Sequence, residues 1–248
     1  MIIDCHTHWS MDQWPQNKPD PETWWDVPGR HGIDHAIVLP LAALTDDTKL
    51  QLENDRIHQV CRESNGRMIP FCSVKPSQGD PAVAELQRCT GKFHTRGIKI
   101  HPWLQGTCVN TSHMDRICEV AGDSGIPLLF HDGTPCVSLP SQIGLLARRH
   151  PKTTMILGHL GLMEHWREAI SVMRKESNIW GCLCGPHVAA IKEILQRCDR
   201  SRLLWGSDYG FGNVDPIDYR LDLLKIQNLK HGDMEKILDH NPKRLLSL

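Results

Sequence analysis

The chain begins Met1-Ile-Ile-Asp-Cys-His-Thr-His8, a short apolar run that leads directly into two histidines separated by one residue. Successive side chains on a strand point to opposite faces, so His6 and His8 point the same way, with Asp4 below them. Imidazole and carboxylate groups are ligands for Zn²⁺ and Mn²⁺. This opening stretch therefore predicts a first strand that ends in metal-binding side chains.

Four later segments also place polar residues at the end of an apolar, β-branched run: Lys99-Ile-His101, Phe130-His131, Gly158-His159 and Gly206-Ser-Asp208. Residues this far apart in sequence meet at one ion only if the fold gathers the ends of separate strands. A closed parallel barrel does so, because the carboxyl ends of all its strands open on one face. The sequence thus predicts a metal centre at the mouth of a barrel.

Short β-rich runs alternate with helical stretches along the whole chain. The predicted strands are 1–6, 35–40, 68–74, 95–100, 127–131, 153–158, 179–183 and 202–206. The predicted helices are 47–65, 80–91, 112–124, 139–150, 162–176, 187–198, 215–229 and 233–247. This alternation favours an α/β fold with a parallel sheet covered by helices. A length of 248 residues permits two small domains, but it matches one (β/α)₈ TIM barrel, and we predict a single domain over residues 1–248.

Residues 9–34 interrupt this alternation directly after the first strand. They contain several prolines and the tryptophans Trp9, Trp14, Trp24 and Trp25. Long loops in compact domains are usually functional or disordered, and four tryptophans argue against disorder. We predict a long aromatic loop that forms a wall or lid over the barrel mouth; the alternative is a loop that only packs on the outer helices.

Composition restricts the classes of function. The formal net charge is -1, and the sequence has neither a basic stripe for nucleic acid nor an apolar run long enough to cross a bilayer. The N-terminus shows no secretory signal, which predicts a cytoplasmic location. We expect a small-molecule substrate and neither nucleic acid nor membrane as a partner. A homodimer is the commonest assembly for such a protein.

Ten cysteines are spread through the predicted strands and helices without a Cys-x-x-Cys pair. This usage is typical of free thiols that act as small buried hydrophobic groups. The spacing Cys182-x-Cys184 places both sulfurs on one face of a strand. A structural zinc would need two further thiolates or imidazoles beside them, and the sequence offers no matching pair.

The chain resembles the amidohydrolase superfamily of metal-dependent TIM-barrel enzymes. Within it, the chain is most similar to the amidohydrolase-2 branch, which includes aminocarboxymuconate-semialdehyde decarboxylase and related decarboxylases and hydrolases. The resemblance rests on Asp4-Cys-His-Thr-His8, Pro127-Leu-Leu-Phe-His131, Ile156-Leu-Gly-His-Leu-Gly161, Leu204-Trp-Gly-Ser-Asp-Tyr209 and the closing stretch from Ile237 to Leu246. These motifs are specific for the superfamily but do not select one reaction.

The resemblance implies roles for the strand-end residues. His6, His8 and His131 would bind one divalent metal, Zn²⁺ first and Mn²⁺ as the alternative. Asp208 would bind the same ion or act as the base toward water. His159 would be a catalytic histidine that orients water or polarises the substrate.

Lys99 and His101 leave alternatives open. In binuclear members of the superfamily, a lysine at this place is carbamylated and bridges two metals. We favour instead a cationic Lys99 that binds a substrate carboxylate or the metal-bound anion, with a buried ion pair to Asp208 or Asp4 as the structural alternative. His101 would bind the metal, bind substrate or cap the strand end. Trp9, Trp24 and Trp25 would wall the substrate site.

We favour a hydrolase for a small amide, lactone or ester, because the decarboxylases of this branch tend to have longer chains; Asp208 would take a proton from water and return it to the leaving group. Non-oxidative decarboxylation of a small aryl or unsaturated carboxylate at the same site is the alternative. A barrel that only binds a ligand is disfavoured, because Asp208 and His159 supply competent catalytic groups. Asp132, His187 and Tyr209 are weaker candidates near the predicted strand ends. Neither a phosphate-binding glycine loop nor a Gly-x-Ser-x-Gly motif is present.

Overall fold

The computed structural model describes residues 1–9, 21–41, 44–212 and 214–248, in which short strands alternate with helices. The strands are β1 (Ile3–His8), β2 (His35–Leu39), β3 (Met68–Pro70), β4 (Cys72–Ser73), β5 (Ile98–Ile100), β6 (Leu128–Phe130), β7 (Met155–Leu157), β8 (Ile179–Cys182) and β9 (Leu203–Leu204). The α-helices are α1 (Pro21–Arg30), α2 (Leu50–Glu63), α3 (Asp80–Phe93), α4 (Ser112–Ser124), α5 (Pro140–Arg149), α6 (Trp166–Lys175), α7 (Val188–Arg197), α8 (Ile217–Lys225), α9 (His231–Glu235) and α10 (Asn241–Leu246).

All neighbouring strands pair in parallel, in the order β1-β2-β3 and β4-β5-β6-β7-β8-β9. Only Phe71 separates β3 from β4. Its N–H donates to the carbonyl of Val38 at 3.1 Å, and the N–H of Cys72 donates to Gly97 at 3.0 Å. The two sheets are therefore continuous, and β3 and β4 are two halves of the strand predicted over 68–74.

The chain beyond β9 runs beside β1 and closes the barrel. Three backbone hydrogen bonds join the two segments: Cys5 N–H to Trp205 O at 3.0 Å, Asp208 N–H to His6 O at 2.8 Å, and His8 N–H to Tyr209 O at 2.7 Å. Donors and acceptors alternate along both segments, as in a parallel ladder. The predicted (β/α)₈ TIM barrel is confirmed, with the two histidines of β1 next to Asp208 at the closure.

Helix α4 shows how the sequence builds the outer layer. Its buried residues follow the helical period and form one apolar stripe: Met114, Ile117, Cys118 and Ala121. The Thr111 side chain accepts a hydrogen bond from the N–H of Met114 and caps the start. Gly125, at φ 66°, ends the helix in the left-handed conformation that glycine adopts without strain. The stripe packs into the large hydrophobic cluster shared by strands and helices, while a second cluster joins inward-facing residues such as Ile37 and Leu129.

Most predicted helices differ from the structure by a few residues at their ends, and two of the differences have a clear physical reason. The helix predicted over 162–176 begins only at Trp166, because Leu160, Gly161 and Leu162 have φ angles of 47°, 82° and 54°, outside the right-handed helical region. The helix predicted over 233–247 is divided into α9, a π-helical turn at Lys236–His240, and α10. Pro242, near the start of α10, has no N–H to continue a regular ladder.

The segment predicted as a long loop over residues 9–34 contains helix α1, so that prediction is wrong for residues 21–30. Trp24 lies on α1, and its indole N–H donates to the carbonyl of His8 at 3.0 Å, which fastens the helix to the end of β1. Trp9, Trp24 and Trp25 are buried in the outer hydrophobic cluster. Trp14 lies outside the described residues.

Among the described residues, no helix combines the length and the apolar character that crossing a bilayer requires.

Candidate metal centre and active site

His6, His8 and Asp208 converge at the carboxyl ends of the strands, with one potential ligand atom from each lying within 4.8 Å of the others. Oδ1 of Asp208 is 3.5 Å from Nε2 of His6 and 3.3 Å from Nε2 of His8. This oxygen is buried and makes no hydrogen bond with a described residue. Two imidazole nitrogens and an unsatisfied carboxylate oxygen form a donor set that fits a divalent cation.

Two glycines allow His6 to occupy this place. A Cβ on Gly206 would lie 2.6 Å from Cβ of His6, and one on Gly158 would lie 2.5 Å from the carbonyl oxygen of Phe130 and 3.0 Å from Cε1 of His6. The carbonyl of Gly158 also accepts a hydrogen bond from Nδ1 of His6 at 3.1 Å. This bond assigns the proton to Nδ1 and leaves the lone pair of Nε2 directed toward Asp208, as metal ligation requires.

Asp4 joins the two closing segments beside the candidate metal centre. Its Oδ1 accepts hydrogen bonds from the N–H groups of His6 at 3.1 Å and Ser207 at 3.0 Å. Burial raises the pKa of Asp4 to about 7, although these hydrogen bonds oppose the shift. Asp4 therefore fixes the backbone of His6 and of Ser207, the residue before Asp208.

Asp208 has a φ of 68°, in the left-handed region that few residues other than glycine adopt. Such strain is found where a side chain must be aimed at a site. Burial alone would raise the pKa of Asp208, but contact with His8 and the nearby His6 and His159 hold it well below the ordinary value. The carboxylate is therefore ionised.

His159 is held by Asp132, a residue that sequence reasoning had ranked low. Oδ1 of Asp132 accepts a hydrogen bond from the N–H of His159 at 2.7 Å, and Oδ2 accepts one from Gly161 at 2.6 Å. This carboxylate spans the left-handed turn after β7. Burial raises its pKa to about 6, opposed by these two donors. The available signal was its position directly after His131, at the end of a buried strand.

His101 and His131 stack with ring centroids 3.9 Å apart and planes 10° from parallel. His131 also meets His159 edge-on at 4.5 Å. Burial, followed by neighbouring cationic groups, lowers the pKa of His101 to about 2 and keeps that of His131 far below its ordinary value. In the described chain, His131 belongs to no group of three donors within 4.8 Å of one another, so its role as a ligand stays a prediction.

Lys99 is fully buried, and its Nζ lies 3.1 Å from Nε2 of His6. Burial lowers the pKa of Lys99 to about 8, opposed by the charge of Asp208. No carboxylate of the described residues forms an ion pair with Nζ within 4.0 Å, so the predicted ion pair with Asp208 or Asp4 is not formed at contact distance. The amine instead points at the atom that the metal would use.

One aromatic residue near His8 was not predicted from the sequence. Trp9, Trp24 and Trp25 are only 3, 2 and 7% exposed, and substrate contact by them stays a prediction. Phe211, which sequence reasoning missed, is 48% exposed, and its ring lies 5.5 Å from that of His8. The sequence feature that could have indicated Phe211 is its position three residues after Asp208.

A guanidinium also acts on this side of the barrel. The charge of Arg220 on α8 is among the influences that lower the pKa of His159 to about 3, after burial as the main cause. Nε of Arg220 is buried without a hydrogen-bond partner among the described residues. The candidate site therefore holds neutral imidazoles beside the amine of Lys99, and the charge of Arg220 acts on His159 as well.

Comparison with solved structures finds the same fold in several enzymes. The chain superposes on 2,6-dihydroxybenzoate decarboxylase from Rhizobium with a TM-score of 0.79 and 17% identity, over 99% of this chain and 98% of the other. It superposes on manganese-bound 5-carboxyvanillate decarboxylase from Novosphingobium aromaticivorans with a TM-score of 0.78 and 15% identity, over 100% and 97%. It superposes on 4-oxalomesaconate hydratase from Rhodopseudomonas palustris with a TM-score of 0.70 and 16% identity, over 100% of this chain and 96% of the other.

Comparison with curated proteins finds no match. The amidohydrolase family model, in contrast, matches residues 3–248, from the first residue of β1 to the end of the chain. The match includes both histidines of β1, the histidines after β6 and β7, and the aspartate after β9. The chain belongs to the amidohydrolase family, in its amidohydrolase-2 branch.

Proposed function

We propose that this protein is a metal-dependent hydrolase of a small amide, lactone or ester that carries a carboxylate. The observation that carries the proposal is the ionised, unsatisfied carboxylate oxygen of Asp208 beside Nε2 of His6 and His8. A divalent cation held by His6, His8, Asp208 and His131 would supply Lewis acidity toward water and the substrate carbonyl. Zn²⁺ is the ion we propose, and Mn²⁺ is the alternative.

Each nearby side chain has a task in this reaction. Asp208 accepts the proton of the attacking water and returns it to the leaving group. His159 is neutral at pH 7, because its pKa is lowered to about 3, so its ring can donate a hydrogen bond to the substrate carbonyl. Lys99 and Arg220 offer positive charge to a substrate carboxylate, and both lack an ion-pair partner among the described residues.

Non-oxidative decarboxylation is the second candidate, supported by the decarboxylases among the structures of the same fold. That reaction needs an acid to protonate a carbanion. Asp208 or His159 would have to supply that proton, and the same two side chains serve hydrolysis. The two candidates are therefore separated by experiment.

The experiment uses metal-loaded protein in ¹⁸O-labelled water with carboxylated lactones, amides and esters, and with hydroxybenzoates. Hydrolysis adds solvent oxygen to the product, whereas decarboxylation releases CO₂ without doing so. We expect labelled product, and at least about a hundredfold lower kcat in Asp208→Asn, with metal content measured in parallel. Release of CO₂ without labelled product would establish the second candidate, and no turnover at full metal occupancy contradicts both.

A further inference from the structure

A cysteine also lies within reach of the metal centre. Cys184 follows β8 and is fully buried, and its sulfur lies within 4.8 Å of a ring nitrogen of His6 and one of His159, which are themselves within that distance. This second group of potential ligands shares His6 with the group formed by His6, His8 and Asp208. The two imidazoles near Cys184 thus come from β1 and from the segment after β7. The sequence alone did not indicate this pairing.

The packing around Cys184 holds the thiol at this place. The next residue is Gly185, where a Cβ would lie 2.5 Å from the carbonyl oxygen of His159 and 2.8 Å from its Cβ. The N–H of Leu183 donates to the carbonyl of Leu204 at 2.9 Å, which extends the pairing of β8 with β9 up to the cysteine. The backbone next to Cys184 therefore packs directly against His159.

Cys184 is fully buried, and His159 is only 3% exposed. Buried polar groups normally find partners. Two donors on opposite sides of one Zn²⁺ ion lie at most about 4.4 Å apart, given Zn–N and Zn–S distances of about 2.1 and 2.3 Å. The sulfur of Cys184 and a ring nitrogen of His6 lie within 4.8 Å of each other, so small side-chain movements would bring both onto one ion.

We propose that Cys184 is a thiolate ligand of the divalent ion at this centre, bound together with His6. The proposal rests on the metal dependence in the proposed function. On binding, a sulfur–metal bond forms and the thiol proton passes to solvent. Thiolate is a soft ligand that selects Zn²⁺ or Co²⁺, whereas Mn²⁺ prefers oxygen. The site therefore discriminates against the manganese found in the structure of 5-carboxyvanillate decarboxylase.

The test replaces the native metal with Co²⁺ in the full-length protein and measures metal content and absorption together. A cobalt–thiolate bond produces an intense ultraviolet charge-transfer band that imidazole and carboxylate ligands do not produce. The variants are Cys184→Ala, Cys184→Ser and the control Cys182→Ala. The control removes a buried sulfur two residues away, at the end of β8, that belongs to neither ligand group.

We expect one Co²⁺ per chain and the band in the wild type and in Cys182→Ala. Cys184→Ala and Cys184→Ser should lose the band, and their affinity for Zn²⁺ relative to Mn²⁺ should fall by at least about tenfold. Full cobalt occupancy without the band in the wild type, or a band that persists in both Cys184 variants, overturns the proposal and leaves the proposed hydrolase intact. Failure of the folded wild type to bind any divalent ion overturns both. Circular dichroism identifies a variant that has not folded. In that case the presence or absence of the charge-transfer band in the wild type tests the proposal.

Discussion

The amine of Lys99 lies 3.1 Å from Nε2 of His6, the same nitrogen that faces the carboxylate of Asp208. Lys99 follows the inward direction of its strand: it pairs in register with Leu129, a member of the inner hydrophobic cluster. A positive charge placed beside a candidate metal ligand would oppose cation binding and, in the same position, would attract an anionic substrate.

Replacement of Lys99 should separate these two effects. We expect Lys99→Met to bind the divalent metal at least about tenfold more tightly, because a nearby positive charge is removed. The KM for a carboxylated substrate should rise more than kcat falls. Metal titration and steady-state kinetics measure both quantities, with Lys152→Met, an exposed lysine remote in sequence, as the control. Unchanged metal affinity would show that the amine turns away from His6.

Asp132 should act as a positioning residue for His159. In Asp132→Asn, one oxygen that accepts an N–H from the left-handed turn becomes an amide donor, which costs about 1–3 kcal/mol of stability. We expect kcat to fall about 10- to 100-fold with little change in KM and undiminished metal content, since His6, His8 and Asp208 are untouched. The exposed Asp123→Asn is the matched control. Equal loss of metal and activity would indicate general disruption instead.

Gly206 should tolerate no side chain. A methyl group there would lie 2.6 Å from Cβ of His6 and 2.8 Å from Sγ of Cys182, so Gly206→Ala should lose about 1–3 kcal/mol of unfolding free energy and reduce metal retention. Gly91→Ala on α3 meets nothing within 4 Å and should instead be stabilising by about 0.5–1 kcal/mol. Chemical denaturation and metal analysis compare the two. Normal metal content in Gly206→Ala would mean that β1 can move aside.

The assignment of His131 as a ligand can be tested against its stacking partner. We expect His131→Ala to lose metal as His8→Ala does, whereas His101→Ala removes the other ring of the stacked pair and should retain it. Metal content of the purified, folded variants measures this directly. Full retention in His131→Ala would contradict its role and leave the described donors of β1 and Asp208 to hold the ion.

A pH-dependent contact joins the end of α1 to the start of α8. Nε2 of His31 is 2.6 Å from Oδ2 of Asp215, and Nδ1 is 2.8 Å from Oδ1 of Asp218. Burial lowers the pKa of His31, but the two carboxylates outweigh this and raise it above 6.5 overall. A raised pKa stabilises the fold fully below the unfolded value near 6.5, and the contribution disappears as pH rises through the folded value.

We therefore expect the melting temperature of the wild type to exceed that of His31→Gln at pH 5.5 and the two to converge at pH well above the folded pKa. Asp215→Asn removes one of the two carboxylates that stabilise protonated His31. This variant should therefore also melt below the wild type at pH 5.5. Thermal denaturation followed at several pH values measures this. If the difference in melting temperature between wild type and His31→Gln grew toward high pH, the contact would not stabilise the fold through protonated His31.

Local sequence determined the alternation of strands and helices, because the apolar period of each segment selects its element and the face that it buries. It also determined that His6, His8, His159 and Asp208 stand at strand ends, since each directly follows an apolar run. The prediction failed at helix α1 and after β7. At α1, prolines and tryptophans gave no helical period. After β7, three consecutive left-handed residues delay α6.

Only the tertiary structure decided which side chains meet. Asp132 reaches the backbone of His159, Lys99 reaches Nε2 of His6, and Cys184 approaches both imidazoles only because barrel closure and strand register bring distant segments to the same level. A sequence pattern specifies which face of its own element a residue occupies. Distances of a few ångströms between elements depend instead on how the whole barrel packs, and those distances determine what this site can bind.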